Sequence, residues 1–415
     1  MMSAEVILLV GLCAVFILPI VTDLNVGIVA FVVAILTGTF LLDQSANEIL
    51  SGFPGQMFIL LVGITLLLSI ADSNGTVAWV VQKLIRLAGG RLILLPWVLF
   101  GIALLTSSLG PGSAPVLFVI GVGFIARFNL NPLLVAAMII HGTQSGAYSP
   151  VAPYGVVISQ LAAAQGILYS PVMMYVGVVG FHLVLVVTVF FVLGGHKLAG
   201  QRVDVADLLV DGDTGLSSAT RIQYVTLAGF LVLLVGVLVY KLNLGFLAMV
   251  ISFILLLATP REGRQKAIDG IAWPIILVIT GVLTYVNLMQ GAGTIEWLAV
   301  QAASVGSSTF IGLLLCLVVA VVTGVASTMG TIGMLVPLSA PFILSGDLDG
   351  TGLLTAMAIS AASSDISPFS TWGALFLATA AAVRDRQMLL KSQLLYTLAI
   401  VCIVPVTAWF LFVVL

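Results

Sequence analysis

Charge is what this sequence has least of. Only 7% of its 415 residues are Asp, Glu, Lys or Arg, against about 25% in a soluble domain. That excludes an ordinary globular enzyme and a nucleic-acid-binding surface. Three cysteines, Cys13, Cys316 and Cys402, stand singly in apolar runs. They read as small core residues, without disulfide or metal spacing. The first apolar run, Val6–Val21, has no basic segment before it and no small-residue cleavage site, so a retained helix is expected. What is present is oil: 61% of the chain is hydrophobic, in recurring runs near the ~20 residues that cross a bilayer.

The runs repeat. A shift of 218 positions brings DLNVG at 23–27 onto KLNLG at 241–245, Gly63 onto Gly281, and GTVAW at 75–79 onto GTIEW at 293–297. It also brings Gly112 onto Gly330, Ser145 onto Ser363, and SPVAPYG at 149–155 onto SPFSTWG at 367–373. Ungapped agreement along both halves indicates a duplication. The expected units are a first repeat at 1–194, a hydrophilic linker at 195–221 and a second repeat at 222–415.

Each repeat reads as three spans, an amphipathic segment too charged to span, an apolar pair, a broken segment and a last span. In the first repeat the pair lies at 92–106 and 114–126, around SSLGPGS. Its limbs, roughly 13–15 residues, are short for crossings and suit a hairpin that enters and returns. The distribution of basic residues agrees. With re-entrant hairpins each half has five crossings, and the second half is inverted. Every Lys and Arg except Lys241 then shares one face, with both termini on the other. The expected fold is an all-α polytopic membrane protein of about 10 spans plus 2 hairpins, in the cell's inner (plasma) membrane.

The broken segments carry the chemistry. HGTQSGAYSPVAPYG at 141–155 interrupts apolar sequence with Gly, Ser, Gln, His and two prolines. Irregular backbone at membrane depth survives only where protein or a wet cavity satisfies it, so 141–150 is expected to unwind around a binding site. Ser149-Pro150 and Ser367-Pro368 read as N-cap and N1 pairs that restart helices. The hairpin tips supply two more N-termini, near Gly112–Ser113 and Gly330–Thr331. Such ends each carry about +0.5 charge, and together they hold an anion without Lys or Arg. The limbs that end there present carbonyls suited to Na⁺.

The substrate candidates at the hairpins are therefore Ser108, Gly110, Gly112, Ser113, Ser327, Thr328 and Thr331. Those at the breaks are Gln144, Ser149, Pro150, Ser367, Pro368, Ser370 and Thr371. Cation candidates are Ser107, Ser108, Thr143, Ser145, Ser327, Ser363, Ser364 and Asp365. Asp365 has three open readings: a Na⁺ ligand, a proton carrier, or a partner for a backbone N–H. His141 either titrates or is structural. His182 reads as structural and Asp72 as interfacial. Inverted repeats with interrupted helices are the mark of secondary transporters. His141 near Ser145 and Ser149 lacks a nucleophile motif, and Asp72 and Asp365 are not at equivalent repeat positions, so a protease is not indicated. A channel would not need two closed hairpins.

SLGPG at the first hairpin, HGTQSGAYSPVAPYG and SSDISPFSTWGAL resemble the dicarboxylate carriers typified by the malonate carrier MatC, over essentially the whole chain. These belong to the ion transporter superfamily with the divalent anion/sodium symporters. The resemblance implies a homodimer, elevator-type movement, C3–C4 dicarboxylates as substrate, Na⁺ or H⁺ as coupling ion, and no organic cofactor. A cation/H⁺ or inorganic oxyanion antiporter of the same superfamily is the alternative. The symporters' Ser-Asn-Thr tips correspond here to Leu109-Gly110-Pro111 and Ser327-Thr328-Met329, and their Thr-Pro-Pro breaks to Ser149-Pro150 and Ser367-Pro368.

Overall fold

The computed structural model describes residues 3–22, 24–85, 89–110, 114–203, 220–240, 242–294, 297, 307–325 and 328–415. It is all-helical, a polytopic membrane protein as the apolar runs predict. In the first half α1 (Ala4–Thr22), α2 (Val26–Phe40), the short α3 (Ala46–Ser51), α4 (Gly55–Ser73) and α5 (Thr76–Ile85) precede a helix pair. That pair is α6 (Leu95–Leu109) and α7 (Ala114–Phe128); α8 (Pro132–Ala147), α9 (Pro153–Ala164) and α10 (Pro171–Val192) follow. The second half runs α11 (Arg221–Leu238), α12 (Leu244–Ala258), α13 (Arg261–Asp269) and α14 (Trp273–Gly291). Its remaining helices are α15 (Ser308–Val325), α16 (Thr328–Leu344), α17 (Gly350–Ser364), α18 (Thr371–Ala380) and α19 (Arg386–Trp409).

Helix boundaries follow the sequence repeat. Val26 and Leu244 open α2 and α12, and Gly55 and Trp273 open α4 and α14, each pair 218 positions apart. The caps repeat as well: Asn25 accepts from Gly27 N and Asn243 from Phe246 N, satisfying N–H groups that a helix start leaves free. The matched helices then cross between halves. α2 packs on α14, and α4 on α12. Glycines bring these backbones together: a Cβ on Gly281 would lie 2.2 Å from the Gly27 carbonyl oxygen, and one on Gly63 would lie 2.7 Å from that of Gly245. Gly27 and Gly63 are the repeat partners of Gly245 and Gly281, so one small-residue crossing is made twice.

Helices α6–α10 and α15–α19 pack together as a second body. α6 packs along α8 and α15 along α17, while α8 and α17 are flanked by α10 and α19. The later limb of each pair reaches across the repeat, with α7 on α18 and α16 on α9. Among the described residues three continuous helices are long and apolar enough to cross a bilayer: Leu92–Leu109, Pro171–Val192 and Arg386–Val414. Their outward faces carry Phe191, Val192, Leu395, Leu398 and Ile403, all exposed, as a lipid-facing surface requires.

Three expectations are corrected. The first limb is 18 residues, Leu92–Leu109, because a 3-10 turn at Leu92–Leu94 continues into α6; length alone therefore does not distinguish a hairpin from a crossing. Cys13 and Cys402 are exposed and only Cys316 is buried, so two of the cysteines are lipid-side residues rather than core. The stretch 141–147 does not unwind but completes α8. Its glycines serve close packing: a Cβ on Gly142 or Gly146 would lie 2.5 or 2.4 Å from the Phe100 or Leu104 carbonyl oxygen of α6.

Candidate functional site

The first break is confined to 148–152 and the second to 365–370. Helices do not restart at the Ser-Pro pairs. α9 begins at Pro153, with Ala152 as N-cap, and α18 at Thr371, with Ser370 as N-cap. Ser149 and Ser367 instead accept from Val151 N and Phe369 N inside the turns. Each turn folds onto the first turn of the next helix because a glycine leaves room. A Cβ on Gly155 would lie 2.1 Å from the Ser149 carbonyl oxygen, and one on Gly373 1.9 Å from that of Ser367. Proline still occupies N1 of α9, where its missing N–H costs nothing.

The structure brings Gln144, Thr328, Asp365 and Ser370 together. Asp365, the C-cap residue of α17, is fully buried. Its Oδ2 accepts from Gln144 Nε2 at 2.6 Å and from Thr328 Oγ1 at 2.5 Å. Gln144 Nε2 also donates to Thr328 Oγ1 at 3.1 Å, closing a triangle between the end of α8, the start of α16 and the end of α17. The Ser370 hydroxyl donates to the Asp365 carbonyl at 2.7 Å and receives the Gly373 N–H, tying the start of α18 to the same point. Tyr148 and Tyr154 meet edge to face at 5.4 Å. Asp365 Oδ1, Gln144 Oε1 and Tyr148 OH are buried without a hydrogen-bond partner. Unpartnered polar atoms at such depth are costly, and a cation or proton at Oδ1 would remove one of them. The helices that meet here, α8, α9, α16, α17 and α18, contain no Lys or Arg, so the positive field beside Asp365 comes from helix N-termini.

The remaining candidates have settings of their own. Ser145 donates to the His141 carbonyl at 2.6 Å, Ser364 to the Ser360 carbonyl at 3.0 Å, and Ser363 faces His182 Nε2 at 3.3 Å. Ser108 donates to the Leu104 carbonyl and meets Tyr175 OH at 2.8 Å. Ser107 and Thr143 are buried with hydroxyls unpartnered. Thr331 is buried in the first turn of α16. Pro150 is half-buried, Pro368 buried and Thr371 exposed. Gly110 ends α6, where a Cβ would overlap Leu68. Gly112, Ser113 and Ser327 lie outside the described residues. His182 is satisfied by the Val178 carbonyl at 2.8 Å, as a structural histidine should be, and Asp72 is exposed at the end of α4.

Sequence reasoning missed Gln393 and Tyr396 of α19. Gln393 Nε2 donates to the carbonyls of Ile366 and Gly373 on either side of the second break, satisfying backbone that the break exposes. Tyr396 OH meets His141 Nε2 at 2.8 Å. The only sequence signal was a Gln and a Tyr three residues apart in the polar first half of α19, which also carries Arg386, Lys391 and Ser392.

Family models match both halves of the chain. Residues 2–147 match the N-terminal model of the dicarboxylate carrier protein MatC, and residues 235–415 match the citrate transporter model. Both models are of carriers, and the chain resembles a MatC-like carrier of the ion transporter superfamily. It is thus a dicarboxylate- or citrate-type membrane transporter and not an enzyme. Among solved structures, the Alcanivorax borkumensis YdaH transporter is similar to the carrier with a TM-score of 0.58 at 15% identity, covering 92% of this chain and 96% of that one. At that identity the likeness is one of fold. No curated protein matches the carrier.

Proposed function

We propose that the carrier is a secondary active transporter of C3–C4 dicarboxylates of the malonate, succinate and malate type, coupled to Na⁺ or H⁺. The observation that carries this reading is the meeting of the second break with the end of α8 and the start of α16 at Asp365, without a basic side chain. A dianion drawn to helix N-termini beside a buried carboxylate needs a compensating cation, and one arriving at the unpartnered Oδ1 would couple its movement to that of the substrate.

In this reading the repeats at 1–194 and 222–415 are inverted, α6–α7 and α15–α16 are re-entrant, and the linker 195–221 is cytoplasmic with both termini outside. The confinement of basic residues to one face supports that orientation. The glycine-locked group of α2, α4, α12 and α14 is the scaffold of a homodimer, and the body holding the breaks moves across the membrane like an elevator. A cation/H⁺ or oxyanion antiporter is the second reading, favoured by Asp365, the single buried acid among the described residues. Proteoliposomes separate the two: labelled succinate or malonate uptake follows an imposed Na⁺ or H⁺ gradient, and pH-driven Na⁺ efflux is absent. Efflux without diacid uptake would establish the antiporter.

A further inference from the structure

Away from the breaks, a cavity of about 360 Å³ opens between α4, α5 and α11 on one side and α6 and α7 on the other. That volume falls in the range of about 300–1,000 Å³ typical of small-molecule sites. Its walls are mainly apolar, with Leu68, Val80, Leu109, Val116 and Phe230 among them. The lining threonines have spent their hydroxyls. Thr65 donates to the Leu61 carbonyl, Thr106 to the Ile102 carbonyl, and Thr76 to Asn74 Oδ1. Asp72 is the one charged lining residue among those described. The edge beside it is held by Asn74, whose Nδ2 donates to Thr226 Oγ1 at 2.8 Å and whose carbonyl receives Gln223 Nε2 at 3.4 Å. This joins the end of α4 to α11.

An apolar chamber with a lone carboxylate repels a dicarboxylate and does not serve as its path. It fits the opposite chemistry. We propose that this cavity is a binding site for a hydrophobic organic cation, with the apolar body against Leu68, Val116 and Phe230 and the positive charge beside Asp72. A ligand there wedges α4 against the α6–α7 pair. If, as the proposed function holds, that pair travels with the moving body, occupancy stops transport without competing with substrate.

Two probes of the same shape and opposite charge test the site on the full-length carrier in detergent. Equilibrium dialysis should show saturable binding of tetraphenylphosphonium and none of tetraphenylborate. Asp72→Asn should weaken the cation about threefold to fivefold, the range of an exposed charge pair. Val116→Trp, which fills the chamber, should abolish saturable binding while succinate or malonate binding persists. Equal binding of both probes, or an unaffected Val116→Trp carrier, overturns the site. In counterflow, tetraphenylphosphonium should lower the maximal rate and leave the apparent substrate KM unchanged. A raised KM with an unchanged maximal rate overturns the wedge. The dialysis arm needs no transport, so its failure is distinct from failure of the transport assignment.

Discussion

Thr328→Val removes one hydroxyl from the triangle at Asp365 with little change of shape. Two interactions go with it: donation to Asp365 Oδ2 and acceptance from Gln144 Nε2. A hydrogen bond to a charged group contributes roughly 1.5–3 kcal/mol and a neutral one roughly 0.5–1.5. Gln144 keeps its bond to Asp365, which limits the second loss, so the total is about 2–4 kcal/mol. If the loss falls on the ligand-competent state, the apparent dicarboxylate dissociation constant rises roughly 30- to 1,000-fold, since 1.4 kcal/mol is tenfold. Thr328→Ser keeps the hydroxyl and should recover most of it. The assay is diacid binding to purified carrier, run as a double-mutant cycle with Asp365→Asn. Residues in one network couple by about 0.5–3 kcal/mol. Wild-type affinity in Thr328→Val, or strict additivity with Asp365→Asn, would refute the triangle as part of the site.

Other perturbations have equally definite outcomes. Ser370→Ala removes the true N-cap of α18 and should cost about 1 kcal/mol or more, read as weaker diacid binding; Ser149→Ala, which removes no cap, should change it less, and the reverse order would refute the observed helix starts. Gly281→Ala drives a Cβ into the Gly27 carbonyl and should destabilise the scaffold by about 1–3 kcal/mol in thermal unfolding, while Gly101→Ala, with open space around it, should not; equal melting points would contradict the crossing. At α3, Ser45 holds the exposed Glu48 carboxyl below its ordinary range through side-chain and backbone hydrogen bonds. A depressed carboxylate adds stability above its unfolded pKa and loses it as pH falls through the folded one. Amide protection factors in α3, corrected for the intrinsic slowing of exchange in acid, should therefore fall below about pH 4.5, near the unperturbed value, and Glu48→Gln should remove most of that dependence.

Much of this architecture was legible because the duplication writes every landmark twice. The offset of 218 positions that aligns Gly63 with Gly281 in sequence also aligns the starts of α4 and α14. What misled was local grammar overridden by packing. Ser-Pro has the form of a cap and N1 pair, but Gly155 and Gly373 let the chain turn back before each helix begins. The glycines of 141–147 suggested unwinding, whereas they admit the backbone of α6. Asp365 and Gln144 could be singled out as polar groups at depth, but their triangle with Thr328 joins positions 37 to 221 residues apart, which no periodicity encodes. Gln393 was invisible for the same reason: its partners lie in the break and at the start of α18.

The central claim is that the two breaks together hold a small dicarboxylate, and ligand-induced stabilisation of the purified carrier measures it most directly. A ligand that binds only the folded state adds about 2.7 kcal/mol at a hundred times its Kd. Malonate, succinate or malate, titrated with Na⁺ or at lowered pH, should raise the thermal midpoint in a saturable manner. Acetate should not, and Asp365→Asn should remove the cation dependence of the shift. A carrier indifferent to every C3–C4 diacid, yet stabilised by an inorganic oxyanion at the same concentrations, would contradict the account.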